Sequence, residues 1–193
     1  MSDRRSKSVR ERSLLRGQEK FIWPAIGFVL AACTVVASMQ AQAQPAQPAA
    51  SVIAGRATVR DGDSITIGEH RIVLWGIDAP GRKTTCGEVR PGRQARDALR
   101  EIVGRRQLTC TVREVDRHGR EVAVCQVRGR DVGALMVEQG WARDWPRYSC
   151  GGYAAQEAGA RQTRGGVWSM ECPALWGNRN YSPDRCRQAT PSQ

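Results

Sequence analysis

Histidine is nearly missing from this chain, and its cysteines do not fall in metal-binding spacing. His70 and His118 are the only two histidines, and no Cys-x-x-Cys pair occurs. Neither histidine stands at a ligand-like spacing from a cysteine, so a structural zinc site is not expected. Lysine is also scarce: nearly all of the cationic residues are arginine, in a chain of 193 residues with a formal charge of +11. No internal repeat is present, which sets aside repeat architectures. What remains is a length that fits one domain plus appendages.

The appendage comes first. Residues 1–20 hold seven Lys/Arg against Asp3, Glu11 and Glu19, and residues 21–39 carry no charge and are mostly apolar. A basic stretch, an apolar stretch and then Ala41-Gln42-Ala43 read as an export signal with a small-x-small cleavage site. Nineteen residues also approach the length that spans a bilayer, so residues 21–39 equally fit an uncleaved membrane tether. Leu30-Ala31-Ala32-Cys33 resembles a lipoprotein box with Cys33 lipidated. All three readings put the protein outside the cytoplasm, as a periplasmic, secreted or envelope-anchored molecule. The expected division is an N-terminal region at 1–43, a Pro/Ala/Gln linker at 44–51, a folded domain at 52–168 and a cysteine-containing tail at 169–193. The linker has too little apolar bulk to fold.

Six cysteines lie beyond the leader: Cys86, Cys110, Cys125, Cys150, Cys172 and Cys186. An even number in an exported protein points to disulfides. Cys110 and Cys125 are equidistant from the turn at 116–119, so a hairpin register sets them opposite each other and predicts a cross-strand bond. The pairing of the other four is left open. Without the net +4 of residues 1–20 the chain still carries +7, a surface that attracts phosphate polyanions and equally one that serves solubility alone.

Periodicity predicts strands at 52–60, 64–67, 71–77, 107–115 and 120–127. Turns fall at Asp61-Gly62-Asp63, Gly68-Glu69 and Asp116-Arg117-His118-Gly119. Helical spacing of Ala95, Leu99, Ile102 and Val103 predicts a helix over 92–103. Others are expected at 131–139 and 153–163, each closed by glycine. Residues 81–91 read as a polar loop. Five strands in a 3 + 2 order with three helices make an α+β protein, a five-stranded OB-type β-barrel. Trp141, Trp145, Tyr148 and Tyr153 cluster in sequence and suit either base stacking or packing of the last helices.

The chemistry concentrates in two acidic turns. Asp61-Gly62-Asp63-Ser64 and Gly76-Ile77-Asp78-Ala79-Pro80 are separated by one hairpin, and their carboxylates can meet to hold a hard cation. Together with Asp116-Arg117-His118-Gly119-Arg120, the run Leu135 to Ala142 (LMVEQGWA) and the stretch EAGAR…GGVW at 157–168, these residues resemble the staphylococcal nuclease family over about 52–168. That resemblance implies a calcium-dependent phosphodiesterase acting on DNA or RNA. It implies Asp63 and Asp78 as calcium carboxylates, the Ala79 carbonyl as a further ligand, Asp61 in the outer shell, and Arg120 on the scissile phosphate.

Two expected members are absent. Val73 stands where the family carries an arginine, and Gly81 stands where it carries the glutamate that acts as base. Arg71, two residues earlier on the same strand face, and Glu88, in the 81–91 loop, are the nearest replacements. The expected protein is a monomeric nuclease relative with weak or lost activity. The alternative is a non-catalytic OB module that binds nucleic acid or a protein partner in the cell envelope.

Overall fold

The first strand run bends at Ala57, and that bend organises the sheet. The computed structural model describes residues 51–172 and 175–187. The expected signal or tether at 1–43, with the linker up to residue 50, lies outside the described residues. The single strand expected at 52–60 is two: β1 (Val52–Arg56) pairs with β6 (Gln107–Val115), and β2 (Thr58–Asp61) pairs with β3 (Ser64–Ile67). β3 continues antiparallel to β4 (His70–Leu74), and β4 runs parallel to β7 (Glu121–Val127), the hairpin partner of β6. The order β1-β6-β7-β4-β3-β2 therefore starts and ends on consecutive pieces of one chain run. This is the curled OB-type sheet of the expected α+β class.

Alternation decides which face goes inward. Ile65, Ile67, Ile72, Leu74, Leu108, Cys110, Ala123 and Cys125 all point into the core. Helix α1 (Pro91–Val103) begins on a proline, which is favourable at a first helical position, and buries Ala95, Ala98, Leu99, Ile102 and Val103. Helix α2 (Val132–Glu138) is capped by Asp131, whose side chain accepts from the backbone N–H groups of Gly133 and Ala134. A cap of this kind stabilises by about 0.5–2 kcal/mol. Leu99 and Met136 are completely buried, and each such side chain contributes about 1.5–3 kcal/mol.

The strand expected at 71–77 stops at Leu74, because the chain turns at Trp75-Gly76. Ile77 and Asp78 then form a separate short strand, β5 (Ile77–Asp78), paired with a strand at Arg143–Asp144. Between them in the chain lies β8 (Arg130–Asp131), which adds to β7; the Arg143–Asp144 strand is β9. Helices α3 (Pro146–Ser149) and α4 (Ala154–Gln162) follow, then a 3-10 turn at Gly166–Ser169 and α5 (Asp184–Arg187).

Gly140 in the 135–142 run and Gly166 in the 157–168 run have a steric reason. A Cβ on Gly140 would lie 2.2 Å from the Gly165 carbonyl oxygen, and Gly140 sits at φ +76°. The Val167 N–H donates to the Gly140 carbonyl across the same contact, at 2.9 Å. Two backbones thus meet where only glycine fits.

The expected Cys110–Cys125 disulfide is present, with the two residues directly paired in register. The remaining four cysteines join Cys86 to Cys172 and Cys150 to Cys186. The 81–91 loop is therefore tied to the tail, and the tail is drawn back onto the domain. None of the described helices is long and apolar enough to cross a membrane.

Candidate functional site

The Asp61-Gly62-Asp63 turn docks because it has no side chain at its centre. A Cβ on Gly62 would come 2.8 Å from the Ala95 Cβ and 2.9 Å from that of Ala79. The turn therefore lies against α1 and against the segment that follows Asp78. The Leu74 N–H donates to the Asp63 carbonyl at 2.8 Å, fixing the turn to the end of β4. These contacts bring the two acidic turns together, as the sequence leads one to expect.

The carboxylates register the proximity. Burial, then the charges of Asp78 and Asp61, push Asp63 up to about 6 from an ordinary 3.8. Asp78 is 1% exposed. Burial raises its pKa, against hydrogen bonds from Tyr181 and Arg179 that favour the charged form. Its Oδ2 accepts from Arg179 Nη1 at 2.7 Å and from the Tyr181 hydroxyl. Its Oδ1 is buried with no hydrogen-bond donor. Ala79 is buried beside it. Asp61, farther out, pairs with Arg82 at 3.5 Å.

Oxygen donors that repel one another and leave a buried lone pair unpaired suit a hard cation in their chemistry. Asp78 Oδ2 is already engaged, however. Among the described residues no group of three or more Asp, Glu, His or Cys side chains stands close enough together to ligate an ion.

Arg120 ends the 116–120 turn and is held by Asp116, with Nε at 2.7 Å and Nη2 at 2.6 Å from Oδ2. Burial would raise the Asp116 pKa. Hydrogen bonds from the backbone N–H and guanidinium of Arg120 and from the His118 N–H outweigh it and hold the group down at about 2. The charge of Arg120 also reaches Asp63 and lowers its pKa.

Two clefts meet at Arg120. One, of about 520 Å³, is lined by Val73, Asp116, Arg117, His118, Trp145 and Tyr148 among others. The second, of about 270 Å³, gathers Arg60, Asp61, Arg71 and Arg82. Trp145 and Tyr148 stack edge-to-face at 4.9 Å on the wall of the first cleft. Trp141 and Tyr153 instead pack against the core, with the Tyr153 hydroxyl donating to Asp131. The aromatic cluster thus divides between the two roles open to it.

The replacements fare differently. Arg71 pairs in register with Thr66, two positions from the Ser64–Val73 pair, and shares the second cleft with Arg120. Glu88 is exposed in the small loop closed by the Cys86–Val89 bridge and lines neither cleft.

The sequence reading missed Arg179 and Tyr181. They come from the tail, more than a hundred residues after Asp78, at 101 and 103 positions of separation. Arg143 of β9 stacks over Tyr181 at 3.8 Å, and Trp145 Nε1 donates to the Asn180 carbonyl at 2.7 Å. Nothing in the local pattern of 169–187 announces this.

A curled OB-type sheet with paired aspartates on adjoining turns and an arginine at the end of the neighbouring hairpin defines an OB-fold protein with an acidic site beside a basic, aromatic cleft. Residues 71–170 match the family described as staphylococcal nuclease homologue, and the chain belongs to that family. The succinoglycan biosynthesis protein ExoI of Rhizobium meliloti (strain 1021) is 32% identical over 70% of this chain and 76% of its own length. Protein ParB of Escherichia coli is 34% identical over 64% of this chain and 77% of its own. A micrococcal nuclease of Shigella flexneri is 30% identical over 58% and 70%.

Proposed function

We propose that this protein is an exported, nucleic-acid-directed member of the nuclease family with attenuated phosphodiesterase activity. The observation that carries the reading is the junction at Arg120. There Arg120, whose charge reaches Asp63, lines a cleft whose walls also offer Arg117, His118, Trp145 and Tyr148. Cations track a phosphate backbone and aromatic faces accept bases without regard to sequence. Of the relatives, one is named a micrococcal nuclease and two from Escherichia coli are named uncharacterized endonucleases.

In this reading Asp63, Asp78 and the Ala79 carbonyl would hold calcium, with Asp61 behind them. Calcium, when bound, would polarise a phosphoryl oxygen. The chain's own part is binding and charge placement. The Trp145–Tyr148 wall seats a base, Arg117 and His118 line the path of the backbone, and Arg120 stabilises negative charge building on the phosphate. Asp116 aims the Arg120 guanidinium. Val73 gives the phosphate no second guanidinium, and Gly81 gives the attacking water no carboxylate. A missing general base costs about 10²–10⁴ in rate, and a missing charge donor about 10²–10³. Losses within one site need not multiply, so the expected deficit is at least about 10³. Three disulfides suit an oxidising compartment, in keeping with export through the leader at 1–43.

Digestion of single-stranded DNA with calcium or with chelator tests the proposal. The double variant Val73→Arg/Gly81→Glu should raise calcium-dependent cleavage. A Cβ at Gly81 would meet only Thr84 Oγ1 within 4 Å, at 3.5 Å. Robust cleavage by the unmodified protein, abolished by Asp63→Ala, would overturn the attenuated site. The second reading is a module that binds nucleic acid without cutting it. The engagement of Asp78 Oδ2 by the tail favours it, and DNA binding without cleavage in the double variant would select it.

A further inference from the structure

The tail reaches Asp78 by construction. Cys172 is bonded to Cys86, in the loop that follows Asp78-Ala79-Pro80, and Cys186 is bonded to Cys150, at the end of α3. The segment between them is thus a strap, fastened to the domain at both ends. Its described residues make several specific attachments. Trp176 lies 5.7 Å from Trp168, Asn180 accepts from Trp145, Tyr181 lies under the Arg143 guanidinium, and Arg179 is ion-paired to Asp78. The Asp78 carboxylate is 1% exposed while the Arg179 side chain is 37% exposed. The guanidinium therefore enters a buried carboxylate from the solvent side, the direction from which a dissolved cation would also arrive. Tyr181 donates to the same oxygen.

We propose that Arg179 and Tyr181 set the cation affinity of the acidic site by competing for Asp78, the strap acting as a tethered, built-in occupant. This rests on the reading that Asp78 takes a cation. A guanidinium bonded to Oδ2 repels a calcium ion on the same carboxylate and uses lone-pair density that the ion would otherwise take. Full use of both Asp78 oxygens by the ion therefore requires residues 179–181 to withdraw from Oδ2, while the two disulfides keep them within reach of the site. Tethering keeps the effective concentration of the competitor high and constant. If the strap is seated in about 90–99% of molecules, the apparent affinity for the ion falls by about 10- to 100-fold, since only the open fraction offers it both oxygens.

The test is a titration of the oxidised protein with terbium, read by tryptophan-sensitised luminescence, with calcium in competition. Arg179→Ala should bind calcium about tenfold or more tightly than the unmodified protein, and Asp78→Asn should abolish binding in both. Tyr181→Phe, which keeps the ring on Arg143 and removes only the hydroxyl, should tighten binding by a few-fold, and it stands in for Arg179→Ala if that variant does not fold. Unchanged or weaker affinity in the folded variants overturns the proposal. So does a failure of all proteins to bind either ion. If affinity rises but no protein cleaves DNA, the strap stands and the phosphodiesterase reading falls.

Discussion

Replacing Asp63 with asparagine should make the metal-free protein more stable at pH 8 and leave it unchanged at pH 4. Asp63 is a carboxylate that folding makes harder to ionise: burial, Asp78 and Asp61 raise it to about 6 from 3.8. The folded state holds this proton more tightly than the unfolded chain does. The sign therefore runs against the common case. Stability attributable to this group is highest below about pH 4, declines as pH rises from 3.8 through 6, and stays low above. The distance from 3.8 to about 6 corresponds to about 3 kcal/mol as a ceiling. Asp63 is only part-buried, and solvent screening reduces that to about 1–2 kcal/mol. Asparagine preserves the size and the turn-forming oxygen and removes the charge. Urea unfolding in chelator at pH 4, 6 and 8 reads the difference. The gap between variant and parent should open between pH 4 and 6 and then hold constant. An asparagine variant that is equally or less stable than the parent at pH 8 would refute the reasoning, since it would mean that Asp63 is satisfied without a cation.

Asp116 should behave in the opposite sense. Held at about 2 by Arg120 and His118, it stabilises the fold above about pH 4 and loses that contribution as pH falls toward 2. Circular dichroism of an acid titration should show Asp116→Asn less stable than the parent at neutral pH, with the two converging near pH 2. Gly140→Ala should cost at least about 3 kcal/mol, because its Cβ would overlap the Gly165 carbonyl at 2.2 Å. Gly119→Ala, at φ +71° with nothing within 4 Å, should cost only about 1 kcal/mol. Equal thermal shifts for the two alanines would show that backbone strain, not the 140–165 contact, governs both.

Much of the architecture could be read from periodicity because each main element obeys a single period. Alternation in 107–115 and 120–127, the turn residues between them and the equal offsets of Cys110 and Cys125 led directly to the observed hairpin and its disulfide. The bend at Ala57 was not legible. The run 52–60 keeps strand-like chemistry throughout, and only its change of partner, from β6 to β3, breaks it. The meeting of Asp63 with Asp78 was legible because one hairpin separates them. Arg179 and Tyr181 were not, because a polar contact over a hundred residues leaves no local pattern. The pairing of Cys86 with Cys172 and of Cys150 with Cys186 was hidden for the same reason. The 81–91 loop carries Cys86, so a disulfide there was expected, but nothing in its polar, glycine-bearing sequence named the partner.

The bend at Ala57 also bears on when this fold can form. β1 finds its partner only in β6, with Ile53 opposite Cys110, while β2, joined to it, can pair at once with β3 nearby. One end of the run is therefore satisfied early and the other waits. Until β6 has emerged and aligned, β1 presents an unpaired edge carrying Ile53, and the inner face of the sheet has no lid. Pairings of such sequence separation slow folding and prolong exposure of apolar surface. A chain built this way reaches its native state only after most of its length is available. Under the proposed export, that timing would suit passage through a membrane as an unfolded thread, with the sheet curling shut, and Cys110 meeting Cys125, on the far side.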